Sequence, residues 1–437
     1  MRLFLTIHRG SREVGGTCIE IIHGNDRIVL DIGMPLVKPG GKPFEQREIE
    51  RLSAEELVRK KFLPNIPGLY PHNQSRAVGG LFLSHAHMDH YGFYRYLHED
   101  VHLYLGEGTR RLIEISALIT GKEKEPRPYT TLHDGVPVSV GSIRVTPYLV
   151  DHSAFDAYAF LIEAGGKKIF YTGDFREHGR KEGILERVLQ RLPEGIDVLL
   201  MEGTHVGNDG ASTPKSEREI EQELLETVKS AKGLVFIHLS SQNIDRIVSL
   251  YRTVLKTRRT LVLDVHTANV LFDISGLAKI PYPSRSYKNI RVYFSQRICN
   301  RYADMNEKDR LYRFKNYKIS RDEIGAHPDR FVMVVKPSML TEVSKLEGIE
   351  GAPLIYSMWG GYLREKSSEK LLHFIQAKGL RLVRHHTSGH AGPATLKKIV
   401  ARIRPKLLIP IHTFHPEGFV EFSPNVMIAE DGIPITI

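Results

Sequence analysis

Short apolar runs, each ending in a loop of ionisable side chains, set the rhythm of the first half of the chain. Residues 27–30 run into Asp31-Ile32-Gly33, residues 80–84 into His85, and residues 143–150 into Asp151-His152. Residues 168–173 run into Asp174, and residues 197–201 into Glu202. Short β-rich segments punctuated by glycine predict mixed or antiparallel sheets, with reactive loops at the strand ends.

From about residue 213 the period changes. A helix is expected over 216–230, a strand over 234–238 and a helix over 243–255, the last with Ile244, Ile247, Val248 and Tyr251 on one face. Another strand follows at 260–264. Strands alternating with helical patterns predict βαβ units. After residue 380 the first rhythm is expected to return, with a strand at 380–383 and a loop at 385–393. A helix with Leu396, Ile399, Val400 and Ile403 aligned comes next, then a strand at 407–411 that ends at His412. The pattern predicts an α/β domain inserted into a β-rich one.

Composition adds limits. A chain of 437 residues with 41% apolar and 26% charged side chains suits a soluble globular protein of two domains. No window resembles a membrane span, and the apolar start at residues 1–7 is too short for a secretory leader. Cys18 and Cys299 form no disulfide framework, so a reducing, cytoplasmic setting is expected. The net charge of +10 fits a polyanionic partner.

The densest chemistry is Ser84-His85-Ala86-His87-Met88-Asp89-His90. Imidazole and carboxylate so closely spaced after a strand match the ligand preference of zinc. Alternate residues of such a turn reach different pockets, so His85 and His87 are expected to share one ion, and Asp89 and His90 another. His152 would complete the first set, and Asp174 has two oxygens with which to bridge both ions.

The order Asp31, His85-x-His87-x-Asp89-His90, His152, Asp174 resembles the sequential motifs of the metallo-β-lactamase superfamily. Glu202 in Met201-Glu202-Gly203, His390 in Ser388-Gly389-His390 and His412 in Pro410-Ile411-His412 resemble the later motifs of its β-CASP branch. The resemblance implies an α/β fold, an αββα sandwich carrying an inserted α/β β-CASP domain. It implies residues 1–207 and 385–437 for the former and 208–384 for the latter. It implies one Zn²⁺ on His85, His87 and His152 and a second on Asp89, His90 and His412, with Asp174 shared; Mn²⁺ is an alternative. Asp31 would orient the ligand loop and Glu202 a ligand imidazole. His412 inclines the resemblance toward ribonuclease J-like enzymes acting on RNA, because the branch's DNA nucleases typically carry valine there. The residues past His412 are too few for the C-terminal domain of ribonuclease J.

The chemistry so implied is hydrolysis of RNA phosphodiester bonds by a hydroxide activated between two metals, giving 5′-phosphate ends. His390 would donate a hydrogen bond to the phosphoryl oxygen, and Asp89 or Glu202 would handle the proton. The strand-to-helix loop with Ser240, Ser241 and Asn243 would cradle a phosphate, unless Ser241 is only a helix cap. Residues 285–321 hold eleven Lys or Arg against three acids, interleaved with aromatics including Tyr287, Tyr302, Tyr312 and Phe314. That mixture suits single-stranded RNA if the rings are free, and a buried anchor if they are not. Residues 38–78 are a long connection, a candidate lid over the metals. A DNA nuclease and a small-molecule hydrolase of the same fold are the alternative functions, and a homo-oligomer is compatible with either.

Overall fold

The computed structural model describes residues 1–437 except 38–43, 45–47, 73–74, 76, 121–126 and 208–213. Part of the expected lid and Asn208, where the insert was expected to begin, lie outside the described residues. Strands β1 (Leu3–Arg9), β2 (Cys18–His23), β3 (Asp26–Leu30), β4 (Gly80–Phe82), β5 (Leu103–Gly106) and β6 (Tyr129–Leu132) form one sheet in sequence order. Strands β7 (Val138–Val140), β8 (Ile143–Val150), β9 (Ala157–Ala164), β10 (Lys167–Tyr171) and β11 (Val198–Glu202) form a second. Both sheets are mixed: antiparallel pairs open the first and join β7 to β10, whereas β3 to β6 and β10 with β11 run parallel.

The third sheet uses β12 (Val235–His238), β13 (Thr260–Asp264), β14 (Ile290–Tyr293), β15 (Lys318–Ile319), β16 (Phe331–Val334), β17 (Pro353–Tyr356) and β18 (Arg381–Arg384). Their order is β15-β14-β13-β16-β12-β17-β18, and every pair is parallel. The strand expected at 380–383 therefore closes this sheet and does not resume the first rhythm. Beyond it, β19 (Leu407–Ile411) returns to pair with β11, and β20 (Pro434–Thr436) pairs with β1.

Burial explains the layering. Leu5, Ile21 and Leu30 of the first sheet meet Phe160, Ile162, Ile169, Leu200 and Ile409 of the second across one dry interface. The outer face of the second sheet is covered by helices Ile184–Arg191 and Pro393–Ile403 through Val188, Leu189, Leu396, Ile399 and Val400. On the other side, Leu81 and Leu83 pack beneath Leu57 and Leu112 of helices Ala54–Arg59 and Glu107–Thr120. Four layers result, αββα. Each fully buried aliphatic side chain contributes about 1.5–3 kcal/mol relative to exposure. The same core runs on through Ile220, Leu224, Ile247 and Leu263 into the third sheet, so the two regions share apolar contacts.

Local signals set the helix starts. Ser216 forms a capping box with Glu219 ahead of helix Glu217–Ser230, and the Asn243 side chain accepts from Arg246 N ahead of helix Ile244–Thr257. Such caps are worth about 1 kcal/mol each. Strands β3, β4, β10, β11 and β19 deliver Asp31, His85, Asp174, Glu202 and His412 from their C-terminal ends, where loops are free of ladder hydrogen bonds.

Candidate metal centre

The turn after β4 is pinned before any ligand is considered. Ile32 N donates to His90 O at 2.8 Å and Met34 N to Met88 O at 2.9 Å, so the segment after β3 clamps the ligand turn. The approach is so close that a Cβ on Gly33 would lie 1.6 Å from Asp89 O. Glycine is required there by space alone. The Asp31 carboxylate, fully buried, accepts from Ser84 N at 2.7 Å, Ser84 Oγ at 2.7 Å, His90 Nδ1 at 2.8 Å and Tyr171 OH at 2.5 Å.

Two sets of ligand atoms converge. In one, His85, His87 and His152 bring their ligand atoms within 4.8 Å of one another; in the other, Asp89, His90, Asp174 and His412 do the same. Asp174 Oδ2 is 3.0 Å from His90 Nε2, 3.7 Å from His412 Nε2 and 3.8 Å from His85 Nε2, which places it between the sets. The outer ring atoms are held. His152 Nδ1 donates to Gly389 O at 2.5 Å, His90 Nδ1 to Asp31, and His412 Nδ1 lies 3.0 Å from Thr17 Oγ1. Ligating imidazoles need such partners to fix ring and tautomer.

Of the inner atoms, His152 Nε2 and His87 Nδ1 lie 3.1 Å apart, within hydrogen-bonding distance of each other. His85 Nε2, His90 Nε2, His412 Nε2 and Asp174 Oδ2 are all buried and unsatisfied. Buried polar atoms are nearly always paired, so four orphans pointing into one space fit a divalent cation. The donor set, imidazole and carboxylate without thiolate, suits zinc or manganese.

Electrostatics agree. Burial pushes His85 well below its ordinary value, helped by His90 and His152 nearby, and pushes His87 down to about 4. His152 and His412 are lowered by burial as well. Neutral imidazole is the form that binds metal. His90 is the exception: burial would lower it, but Asp174 and Asp31 raise it well above normal. Burial would raise Asp174, yet His412, His90 and His390 hold it well below the carboxylate range. A proton on His90 stands where a cation would otherwise balance Asp174.

Motif residues outside the two sets take distinct places. Glu202 accepts from Thr204 N at 3.1 Å and Ala391 N at 3.2 Å, and lies 3.4 Å from His390 Nδ1. The ring it steadies is thus His390, not one of the expected ligand imidazoles. Burial would lower His390, but Glu202 and Asp174 raise it to about 9. Its ring centroid is 5.2 Å from that of His152 and 5.6 Å from that of His412.

The expected substrate loop is largely committed internally. Ser241 Oγ lies 2.8 Å from Thr267 Oγ1, Asn243 is the helix cap, and both are buried; Ser240 is half-exposed. The reading of Ser241 as the cap is overturned. In residues 285–321 the aromatics are mostly anchors: Tyr302 and Phe314 are buried and Tyr312 is exposed, while Arg285, Lys288, Arg297 and Lys315 face outward. Thr17, Ser84, Tyr171 and Arg176 were missed. Arg176 is fully buried, bonding Asp151 at 3.2 Å, Ser388 O at 3.2 Å and Asp245 at 2.5 Å. Its only signal was an arginine two residues past Asp174. Gly15 N donates to His412 Nδ1 at 3.4 Å.

An αββα sandwich with its ligands at one edge defines the metallo-β-lactamase class, and the family model of the beta-lactamase superfamily domain matches residues 53–239. A ribonuclease J of Helicobacter pylori is 24% identical over 417 residues, covering 92% of this chain and 55% of the relative. A ribonuclease J of Mycoplasma genitalium is 24% identical over 92% of this chain and 66% of its own length. Transcription termination factor FttA of Methanothermobacter thermautotrophicus is 28% identical over 52% of this chain and 35% of its own. A crystal structure of a protein of unknown function from Enterococcus faecalis V583 superposes with a TM-score of 0.79 at 24% identity, covering both chains completely. The chain thus carries the match to the beta-lactamase superfamily domain over residues 53–239 and is similar to ribonuclease J over most of its length. It spans about half the length of the Helicobacter relative.

Proposed function

We propose that this chain is a zinc-dependent ribonuclease that hydrolyses phosphodiester bonds of single-stranded RNA and leaves 5′-phosphate ends. The observation that carries the reading is the convergence of His85, His87 and His152 in one set and of Asp89, His90, Asp174 and His412 in another, with His85 3.8 Å from Asp174. Relatives named ribonuclease J and a transcription termination factor support a nucleic-acid substrate. Two Zn²⁺ ions, or Mn²⁺, would supply Lewis acidity and an acidified water at this site.

The protein's own groups prepare and complete the reaction. His85, His87 and His152 are kept neutral by burial and so offer lone pairs to the first ion. Asp89, His90 and His412 would hold the second, with Asp174 available to either. Asp31 takes the Nδ1 proton of His90, which leaves Nε2 for the site. His390, steadied by Glu202 3.4 Å from its Nδ1, donates a ring N–H to the phosphoryl oxygen on which negative charge builds. Glu202 is engaged with two backbone N–H groups and His390, so Asp89, the more exposed carboxylate, relays the proton to the leaving oxygen. Residues 1–207 with 385–437 form the metal-holding unit, and 208–384 the unit that faces the strand. In support, every strand of the third sheet falls within the latter range. Ser240 is the loop hydroxyl available to a substrate phosphate, with Ser241 and Asn243 shaping the loop behind it. Two cysteines without a disulfide agree with a cytoplasmic setting.

The test is incubation of metal-loaded protein with end-labelled single-stranded RNA, the matching DNA and a lactone panel, beside a His87→Ala control. RNA cut to 5′-phosphate ends, with loss of cutting in the control, is expected. Lactone hydrolysis with intact RNA would overturn the proposal.

A further inference from the structure

Trp359 is the only tryptophan of the chain, and it stands in the open: 57% of its surface is accessible. It follows β17 in the stretch Tyr356-Ser357-Met358-Trp359-Gly360-Gly361-Tyr362. An exposed indole ordinarily moves, but this one is braced. The Tyr362 ring meets it edge-on at 5.2 Å and 88°, and a Cβ on Gly361 would overlap the indole at 2.2 Å. The turn is tied down as well: Tyr362 N donates to Trp359 O at 3.2 Å, and Ser368 Oγ to Tyr362 O at 2.7 Å.

Behind the ring lies a cavity of about 290 Å³, lined by His238, Tyr356, Met358, Tyr362, Glu365 and Leu371 among others. Within it His238 and Tyr356 are stacked, with centroids 5.7 Å apart and planes 28° apart. Arg364, Lys366 and Arg384 are exposed around the turn, and none has an ion-pair partner among the described residues. Arg384 Nη1 would lie 4.0 Å from a Cβ on Gly360.

We infer that Trp359, braced by Tyr362, is a base-stacking site that holds a nucleobase of the substrate strand. The inference rests on the nucleic-acid reading above and adds a positioning residue to it. A rigid exposed ring flanked by unpaired cations is the combination that binds single strands, the ring taking the flat base and the cations the phosphates.

The lone tryptophan makes the test direct. Indole fluorescence is followed in the His390→Ala protein as an eight-nucleotide oligoadenylate is added, and again with a tetrahydrofuran–phosphate oligomer of equal length that has no bases. Anisotropy of an end label reports binding in both titrations. Saturable quenching by the oligoadenylate, with little by the baseless oligomer, is expected. Oligoadenylate binding without any change in indole emission would overturn the stacking site and leave the nuclease reading standing. No binding of either oligomer would remove both. In the otherwise unaltered enzyme, Trp359→Ala should raise KM by about 5- to 150-fold at unchanged kcat, the range for one lost base stack. Trp359→Phe should recover most of that loss, and a fall in kcat with KM unchanged would refute a positioning role. Gly361→Ala, which displaces the ring without removing it, should raise KM in the same direction.

Discussion

Replacing Asp31 by Asn tests how far the metal centre depends on a residue that holds no metal. The carboxylate faces donors only: Ser84 N and Oγ, His90 Nδ1 and Tyr171 OH, all within 2.8 Å. An amide offers one oxygen, so its NH₂ must face some of those donors in either orientation. Turned toward Ser84 N, it confronts a backbone N–H that cannot move. Turned the other way, the two hydroxyls can rotate, but His90 must shift its proton to Nε2, the atom needed for ligation. Loss of this kind of supporting hydrogen bond ordinarily costs about 10–100-fold in metal affinity. The substitution also leaves protonated His90 without one of its two buried carboxylates, a change worth about 3–5 kcal/mol in the metal-free protein. Zinc competition against a chromophoric chelator reads the first quantity, and urea unfolding in the presence of a chelator reads the second. Tyr171→Phe serves as the measured contrast: it removes one hydroxyl, leaves the His90 tautomer alone, and should cost about 1 kcal/mol with affinity nearly unchanged. If Asp31→Asn bound zinc within twofold of the parent and unfolded at the same urea concentration, the tautomer argument would be wrong.

His390→Ala should lower kcat on RNA by about 10²–10³-fold, while zinc content measured by elemental analysis stays the same. Gly33→Ala should prevent the clamp on Asp89 from closing, since the new methyl would lie 1.6 Å from Asp89 O, and circular dichroism should show a lower melting temperature together with lost zinc. Buried Glu217 is held at about 2 against an ordinary 4.5: burial would raise it, but Arg246 and Arg176 outweigh that. A depressed carboxylate stabilises the fold above 4.5 and loses that effect as pH falls toward 2, a difference on the order of 3 kcal/mol. Glu217→Gln should therefore be strongly destabilised at pH 7 and much closer to the parent at pH 3, as read from urea midpoints across that range.

Much of the architecture could be read locally. The stretch at 143–150 coincides with β8, and the apolar run at 407–411 with β19, where a strand buried on both faces leaves a continuous apolar stretch. The helix expected over 216–230 starts at its Ser216 cap, a contact between residues three apart, whereas the next helix is capped by Asn243 and not by Ser241. The strand at 380–383 was detected but assigned to the wrong neighbours, since a short apolar run does not say which sheet it will join. Glu202 was matched to a motif, but its partner could not be read, because Ala391 lies 189 residues away.

Sequence alone determined which atoms could bind a cation, because four of the candidate ligands crowd into six consecutive residues and the rest follow strand ends. Tertiary structure alone decided what holds those ligands in place. Tyr171 reaches Asp31 across 140 residues, Thr17 reaches His412 across 395, and Arg176 joins Asp151 to Asp245 of another sheet's helix. A ligand's identity is carried by its own side chain, whereas its orientation is set by neighbours that only the packing of the sheets brings within hydrogen-bonding distance.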